Sequence, residues 1–247
     1  PTACPGQFVQ IQCGSPAGIP EQDCRFDPTR VPIVRRPFSL GGWRENNGAT
    51  EIEILFRVLG PGTAWMSQRR ENDEVSVLGP LGKPFSIVRD AELSLLVGGG
   101  TGLPPMMWLV RELSKAGLKA TAICGARSES LLPMTICDRK MMPASVEEFG
   151  STPVVITTDD GSLGIHGTVL KGIEEAVRLG GQPRRVVMYS CGPEGMLRAI
   201  SELASAKGYE CQVCMERMMA CGMGTCQSCV VKTKDEQTER GWRYQLC

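Results

Sequence analysis

Four cysteines near the end of the chain have the spacing of an iron–sulfur ligand set. Three of them are arranged C-x4-C-x2-C, and a fourth follows after seventeen intervening residues: Cys221, Cys226, Cys229 and Cys247. This spacing is typical of plant-type ferredoxins, in which four thiolates hold two irons. Gly222 and Gly224 suit a tight loop whose backbone N–H groups approach the sulfur atoms closely. The pattern predicts a [2Fe–2S] cluster held by these four cysteines.

A zinc ribbon is the alternative use of the same region. Cys211 and Cys214 form a C-x2-C pair, and eleven residues separate this pair from the C-x2-C of Cys226 and Cys229. Two such pairs are typical of structural zinc sites. Zinc leaves Cys221 and its neighbouring glycines unexplained, so we favour the cluster. We then expect Cys211 and Cys214 to be buried thiols in a strand.

A flavin site is indicated by the segment "RRPFSL" at the end of a β segment. Its candidate residues are Arg36, Pro37, Phe38 and Ser39. A guanidinium here can clamp a pyrophosphate, and a serine hydroxyl one strand step away can bond a flavin ring nitrogen. In "GPGTAW", Gly60, Gly62 and Thr63 offer a backbone that phosphates can approach. The alternative is a turn with a surface arginine, and the second motif strengthens the case for a flavin site.

Two further glycine motifs indicate a nicotinamide site. The run Gly98, Gly99, Gly100, Thr101 and Gly102 lies between a predicted strand and a helix start, where backbone amides bind phosphate. Its spacing is not G-x-G-x-x-G, and the next strand ends in "CGAR" with Arg127 rather than an acidic residue, so a plain tight turn is the alternative.

The motif "YSCGPEGM" has the same placement after a later strand. It puts Cys191, a small polarisable side chain, where nicotinamide would meet the flavin. The alternative is a buried thiol beside a helix start.

Three segments must position these motifs. Residues 1–90 consist of short apolar runs separated by Gly, Pro and Asn turns, which predicts a small all-β barrel or sandwich. Residues 91–208 alternate strands and helices, which predicts a parallel sheet. The strands are Leu93–Val97, Ala120–Cys124, Val154–Thr158 and Arg185–Tyr189, and the helices begin at Pro104, Thr168 and Glu194. Residues 209–247 are too few to bury a core of their own, which indicates a module organised by a metal centre.

Composition narrows the class of protein. The 247 residues include 42% apolar and 22% charged residues, with 27 basic and 27 acidic side chains. Because the charges balance and no basic cluster occurs, nucleic acid is not an expected partner. Neither a membrane-spanning apolar run nor a leader is evident, so we expect a cytoplasmic protein. The chain starts inside a strand-like segment, so we expect residues before Pro1 to be missing.

Taken together, six motifs resemble those of a known family. They are "RRPFSL", "GPGT", "GGGTGLPP", "TTDDGSLGIHGT", "CGPEGM" and "ERMMACGMGTCQSC". In this order they resemble the electron-transfer subunits of NAD-linked dihydroorotate dehydrogenase, within the ferredoxin reductase superfamily. The resemblance implies a Greek-key FAD-binding barrel, from which the first strands are missing here, then a nucleotide-binding α/β domain and a [2Fe–2S] module.

The resemblance also implies roles for individual residues. Arg36, Pro37, Phe38, Ser39, Gly62 and Thr63 would hold FAD. Gly99, Gly100, Thr101 and Gly102 would contact NAD(H), with Cys191, Gly192 and Pro193 near the hydride-transfer site. The implied partner is an FMN-containing catalytic subunit that oxidises dihydroorotate in pyrimidine synthesis. FAD would link a two-electron hydride transfer to a cluster that accepts single electrons.

Three rival functions stay open at this point. A related subunit of a sulfhydrogenase or of a ferredoxin:NADP reductase would use the same cofactors with another partner. A free-standing flavin reductase would need no stable subunit. A zinc-stabilised binding module would have no redox role.

Overall fold

The structure is a computed structural model that describes residues 2–14, 32–138, 142–234 and 237–247. Its N-terminal part is antiparallel β structure, and its middle part is a parallel sheet with helices on both faces. Its C-terminal part is a cysteine-rich loop followed by a β-hairpin. This order agrees with the predicted fold class. Within the described ranges, no helix is long and apolar enough to cross a membrane.

The N-terminal strands form two antiparallel pieces. In the first, β1 (Phe8–Ile11) is the central strand between β2 (Arg36–Ser39) and β5 (Val77–Leu81). The second is a hairpin of β3 (Gly42–Asn46) and β4 (Ala49–Glu53), followed by helix α1 (Pro61–Ser67). Over the residues that the structure describes, these pieces do not join into one closed sheet. The predicted Greek-key barrel therefore stays a prediction.

The predicted strand from Glu51 to Val58 is shorter in the structure. Strand β4 ends at Glu53, and the following residues leave the hairpin. Leu55, Phe56 and Arg57 line a cleft instead of pairing with a strand. The later apolar residues of this segment therefore form part of the wall of a cleft and do not continue the strand.

Six parallel strands form the central sheet. Their bounds are β6 (Leu93–Gly99), β7 (Ala120–Ala126), β8 (Val154–Thr158), β9 (Ile165–His166), β10 (Val186–Cys191) and β11 (Glu210–Cys214). Their order is β11-β10-β6-β7-β8-β9, so the chain reverses its direction of winding between β6 and β10. Ligands bind at the carboxyl ends of the strands at such a point. The glycine loop after β6 and the loop after β10 meet there.

Helices cover both faces of this sheet. They are α2 (Leu103–Lys115), α3 (Val169–Leu179) and α4 (Glu194–Lys207), with α2 on one face and α3 and α4 on the other. The predicted apolar face of α2 is confirmed, since Met106, Leu109, Val110 and Leu113 are all at most 2% exposed. Burial of each such side chain is worth about 1.5–3 kcal/mol. This face fixes the helix that starts at the glycine loop.

Helix α2 and a connector, which is the segment between β5 and β6, hold the N-terminal strands against the sheet. Trp108 of α2 is buried in the N-terminal core, and Arg111 Nη2 lies 3.3 Å from Glu53 Oε2. In the connector, the Tyr189 hydroxyl accepts the Val88 N–H at 3.0 Å and donates to the Ser86 carbonyl at 3.1 Å. These contacts place β2 opposite the carboxyl ends of β6 and β10.

The C-terminal hairpin consists of β12 (Val230–Lys234) and β13 (Trp242–Leu246). Strand β11 belongs by sequence to the segment predicted as the metal module, yet it pairs in parallel with β10. The central sheet therefore extends to Cys214, beyond the predicted boundary at residue 208. The cysteine loop that carries three of the predicted ligands lies between β11 and β12.

Candidate functional site

One cleft brings together residues from the predicted flavin and nicotinamide motifs. It lies between β2, α1 and the loops that follow β6 and β10. Its walls include Pro37, Phe38, Ser39, Thr63, Thr101, Gly102, Cys191 and Gly192. Motifs that are far apart in the sequence therefore face the same space, as a hydride transfer between two bound cofactors requires.

Arg36 and Gly62 make a close contact between β2 and α1. A Cβ atom placed on Gly62 would lie 3.0 Å from Arg36 Cγ and 3.4 Å from Cys13 Sγ. A side chain at this position would therefore displace the arginine. The guanidinium donates from Nη1 to the Val34 carbonyl at 3.2 Å. Glycine at position 62 allows the arginine to lie across the start of α1.

The Thr63 hydroxyl fixes the turn that leads into α1. Its oxygen accepts the backbone N–H groups of Leu59 at 2.9 Å and Gly60 at 3.1 Å. The same hydroxyl lies 3.1 Å from the Gly60 carbonyl, to which it donates. The turn that the sequence predicts as a phosphate-approaching loop is therefore held in place by its own threonine.

The loops after β6 and β10 touch through their backbones. A Cβ atom on Gly102 would overlap the Cys191 carbonyl and would lie 2.7 Å from the Gly192 nitrogen. A Cβ atom on Gly99 would lie 2.7 Å from Met196 Sδ. Only glycine permits such an approach. The two motifs therefore form one unit, which the separate sequence patterns do not reveal.

Cys191 stands in the ladder between β10 and β11, opposite Cys214. Interaction with the neighbouring Cys214 thiol and burial raise the pKa of Cys191 well above its ordinary value, and the same interaction lowers the pKa of Cys214. Cys191 is therefore a neutral thiol at pH 7, which makes it a polarisable wall rather than a nucleophile or a base.

A second cavity of about 600 Å³ opens beside the first, and Arg57 lines both. Its walls include three predicted residues, namely Gly99, Gly100 and Pro193. Gly100 has a φ of +56°, and the space above its Cα is open to a ligand. The cavity lies at the carboxyl ends of parallel strands, where dinucleotides bind.

Side chains of both charges line this second cavity. Arg127 follows β7, and Asp159 follows β8. Thr157 also lines it, and its hydroxyl is buried without a hydrogen-bond partner among the described residues. These groups fit a dinucleotide, because hydroxyl and carboxylate can bond ribose and arginine can bond phosphate. Dinucleotide sites often have an acidic residue after the second strand, where this chain has Arg127. Asp159, which follows the adjacent strand β8, gives this cavity an acidic group instead.

The four predicted ligand cysteines form two pairs. Cys221 Sγ accepts the backbone N–H groups of Met223 and Cys226, each at 3.4 Å. The Cys247 N–H donates to the Cys229 carbonyl at 3.3 Å. Each pair can offer two thiolates to one iron, as a [2Fe–2S] cluster needs. The donor set therefore fits the cluster that the spacing predicts.

Cys226 is the exposed thiol of the cysteine loop, and its surroundings favour the thiolate. Gly222 and Gly224 have φ values of +68° and +87°, which turn the loop tightly. Hydrogen bonds from Ser228 and from Cys221 lower the pKa of Cys226 to about 6. Since the thiolate is the metal ligand, this environment prepares Cys226 for ligation.

The zinc ribbon does not agree with the structure. Residues three apart in a strand face opposite sides, and Cys211 packs on the face of α3 and α4 whereas Cys214 packs on the other face. The pair cannot share one zinc. The expectation that Cys211 and Cys214 are strand thiols holds, although both are only partly buried.

Three more residues, between the first cleft and the cysteine loop, were missed by sequence reasoning. Cys214 and Met215 line the first cleft and also a groove that reaches Cys229 and Cys247. The Cys247 thiol donates to the Met215 carbonyl at 2.9 Å. Gln10 of β1 lies against the cysteine loop at Gly222. A thiol directly before the cysteine loop was the only available signal for Cys214, and no signal pointed to the other two.

Comparisons with known proteins agree with this arrangement. Residues 216–247 match the family model described as the iron–sulfur cluster binding domain of dihydroorotate dehydrogenase B. The chain is 35% identical over 231 residues to the electron transfer subunit of dihydroorotate dehydrogenase B (NAD(+)) from Desulforamulus reducens, covering 93% of the chain and 78% of that protein. The corresponding subunit from Fusobacterium nucleatum is 32% identical over 234 residues, with the same two coverages.

Solved structures share the fold. An NADH-dependent reduced ferredoxin-NADP oxidoreductase, studied for flavin-based electron bifurcation, superposes with a TM-score of 0.73 at 25% identity. The match covers 98% of this chain and 75% of that one. The ferredoxin reductase of carbazole 1,9a-dioxygenase matches with a TM-score of 0.58 at 20% identity, covering 86% and 60% of the two chains, which supports the fold alone.

Proposed function

This chain belongs to the family of electron transfer subunits of NAD(+)-dependent dihydroorotate dehydrogenase B, and we propose how its residues divide the work. The subunit is an NAD(H)-linked oxidoreductase that uses FAD and a [2Fe–2S] cluster, in a complex with the dihydroorotate dehydrogenase catalytic subunit. When bound, the flavin exchanges a hydride with nicotinamide and single electrons with the cluster. The residue roles below are our proposal.

The first cleft is the proposed flavin site. Arg36 binds the pyrophosphate as a bidentate donor, and the backbone at Gly62 and Thr63 lets the phosphates approach. Pro37, Phe38 and Ser39 line the ring end of the cleft. The close approach of Arg36 to Gly62 supports this role, because it brings the arginine to the start of α1.

The nicotinamide dinucleotide is proposed to lie across the joined glycine loops. Gly99, Gly100, Thr101 and Gly102 contact it from β6, and Gly192 and Pro193 contact it from β10. The neutral Cys191 packs beside the reacting rings without taking a proton. Asp159 in the second cavity provides a carboxylate for the ribose hydroxyls, which agrees with NAD(H) as the dinucleotide.

The cluster ligands are proposed to be Cys221 with Cys226 on one iron and Cys229 with Cys247 on the other. One observation carries the whole proposal: Cys214 and Met215 line the flavin cleft and the groove to Cys229 and Cys247 at once. The chain thereby keeps the two proposed redox sites adjacent.

The proposal is tested on protein purified without oxygen. We expect bound FAD and about two irons with acid-labile sulfide per chain, because the C-x4-C-x2-C spacing selects a plant-type cluster. The visible spectrum, metal analysis and sulfide assay measure this together. Zinc in place of iron, with a colourless protein, would show that the ligand assignment is wrong.

A second partner is favoured by one comparison. The superposition on an NADH-dependent reduced ferredoxin-NADP oxidoreductase suggests a related complex with another electron acceptor. Isolation of the native complex decides between the two, since a dihydroorotate dehydrogenase catalytic subunit would co-purify in the first case only.

Domain bounds and location are also part of the proposal. We propose residues 1–90 as the FAD domain and the remaining chain as an NAD domain followed by the cluster module from about residue 215, because β11 joins the central sheet. We propose a cytoplasmic location. The cysteines in the described ranges are free, which is typical of a reducing compartment.

A further inference from the structure

The side-chain amide of Gln10 is buried. The residue is 0% exposed, and neither its Nε2 nor its Oε1 has a hydrogen-bond partner among the described residues. A buried side-chain amide without a partner is unfavourable and needs an explanation. A neighbouring glutamine behaves normally: Gln7 accepts the Cys4 N–H at 2.9 Å and donates to the Gly82 carbonyl at 3.0 Å.

The amide of Gln10 is directed at the cysteine loop. Successive residues of a strand face opposite sides, and Val9 and Ile11 are buried in the N-terminal core. Gln10 therefore projects from the other face of β1. A Cβ atom on Gly222 would overlap Gln10 Nε2 and would lie 2.9 Å from its Cδ. The amide thus rests on the backbone between Cys221 and Cys226.

We propose that Gln10 donates a hydrogen bond from Nε2 to a sulfur atom of the cluster at the Cys221 and Cys226 pair. This inference rests on the proposed ligation by those cysteines. Cys221 Sγ already accepts two backbone N–H groups from its own loop. Gln10 adds a side-chain donor from the flavin domain, so one bond both fixes the module to that domain and acts on the cluster.

The bond has a defined electrostatic consequence. Reduction adds one negative charge to the cluster, and a donor aimed at its sulfur atoms stabilises the more negative state. Gln10 therefore raises the reduction potential of the cluster. An amide donor that no other described group satisfies is well suited to this role, because it does not have to break another bond when charge arrives.

The test is a redox titration of the assembled complex followed by electron paramagnetic resonance. Gln10→Leu keeps the approximate side-chain volume and removes the donor. We expect the one-electron reduction equilibrium of the cluster to become about tenfold less favourable, which is about 59 mV. Gln12→Leu is the matched control, since Gln12 lies just after the same strand and is exposed. It should leave the cluster potential unchanged.

A second measurement uses protein labelled with nitrogen-15 in the glutamine side chains. We expect a nitrogen coupling to the reduced cluster in the wild type that disappears in Gln10→Asn, in which position 10 carries no labelled glutamine side chain. Contributions from other glutamines remain in both samples and cancel in the comparison. This readout decides the matter even if Gln10→Leu loses its cluster.

The outcomes separate this proposal from the ligand assignment. Wild-type protein without iron and without a resonance signal would overturn the ligation itself. A normal cluster whose potential is equal in wild type and Gln10→Leu, or a nitrogen coupling that persists in Gln10→Asn, would overturn the role of Gln10 alone. A purely structural amide predicts that leucine leaves the potential unchanged and the fold equally or more stable.

Discussion

The first cleft and the cysteine loop hold their residues in place in different ways. In the cleft, the backbones of Gly102 and Cys191 touch, and the strands behind them are fully buried. In the loop, Cys226 is exposed and is held through hydrogen bonds with its neighbours. The polypeptide alone fixes the first geometry, whereas metal ligation completes the second. Substitutions should therefore act through packing in the cleft and through ligation in the loop.

Gly102→Ala tests the cleft half of this comparison and has the largest expected effect. The added Cβ overlaps the Cys191 carbonyl, so the two loops must separate. A displacement of about 1 Å at reacting groups can cost about 100-fold in rate. We expect a loss of this order in NADH reduction of a hydride-accepting dye, measured by steady-state kinetics.

Gly117→Ala is the control for this substitution. Gly117 has a φ of +69° but open space around its Cα, so only a backbone cost of about 1–2 kcal/mol is expected, with little change in rate. Gly102 has a φ of −83°, which any residue adopts. Equal rates in Gly102→Ala and wild type would mean that the close backbone contact does not set the geometry of the cleft.

Arg36→Ala extends the comparison to the flavin wall. Loss of a bidentate, charge-assisted contact should weaken FAD binding by about 1.5–3 kcal/mol, or roughly 10- to 100-fold. Arg36→Lys keeps the charge but loses the planar fork of the guanidinium. Its affinity for FAD should therefore lie between those of the wild type and Arg36→Ala. Flavin occupancy and the dissociation constant measure the effect. Unchanged occupancy in Arg36→Ala would make "RRPFSL" a turn without a cofactor role.

Tyr189→Phe is the smallest expected effect and concerns stability. The hydroxyl joins β10 to the connector through Val88 and Ser86, so its removal should cost about 1–3 kcal/mol of unfolding free energy. Burial raises the pKa of Tyr189 above its ordinary 10. The stability it adds is therefore complete below pH 10 and is lost as the pH rises through the higher folded-state value. Denaturant unfolding at pH 8 and pH 11 should show a smaller drop with pH in Tyr189→Phe than in wild type.

Much of the central sheet follows from the sequence, because its periodic apolar pattern matches its burial. Strand Val154–Thr158 and helix Glu194–Lys207 occur at the predicted bounds. Strands β6 and β7 run two residues further than predicted. Their last residues include Gly98, Gly99 and Gly125, which pack closely against neighbouring side chains. In a sequence, glycine usually predicts a loop. Here it permits close packing at the end of a strand.

The parts of the site that could not be predicted are those set by contacts between distant segments. Arg57 lines both cavities because the chain leaves β4 early, and no local pattern signals this. In the sequence, Gln10 looks like the ordinary polar residue of an alternating strand. Its proposed role as a donor to the cluster depends on a loop far along the chain. Cofactor motifs are local and therefore visible in a sequence. The packing that joins them is not.

The central claim is that hydride transfer and electron relay use separate parts of the chain, and Cys226→Ser tests it most directly. Two rates are measured on one preparation that retains FAD and forms a monodisperse complex with the catalytic subunit: NADH reduction of a hydride-accepting dye, and NAD-linked oxidation of dihydroorotate. We predict that the first rate stays near that of wild type, because the cleft is built without Cys226. The second should be lost. Dihydroorotate-dependent turnover that survives without the cluster would contradict the relay role of Cys221, Cys226, Cys229 and Cys247.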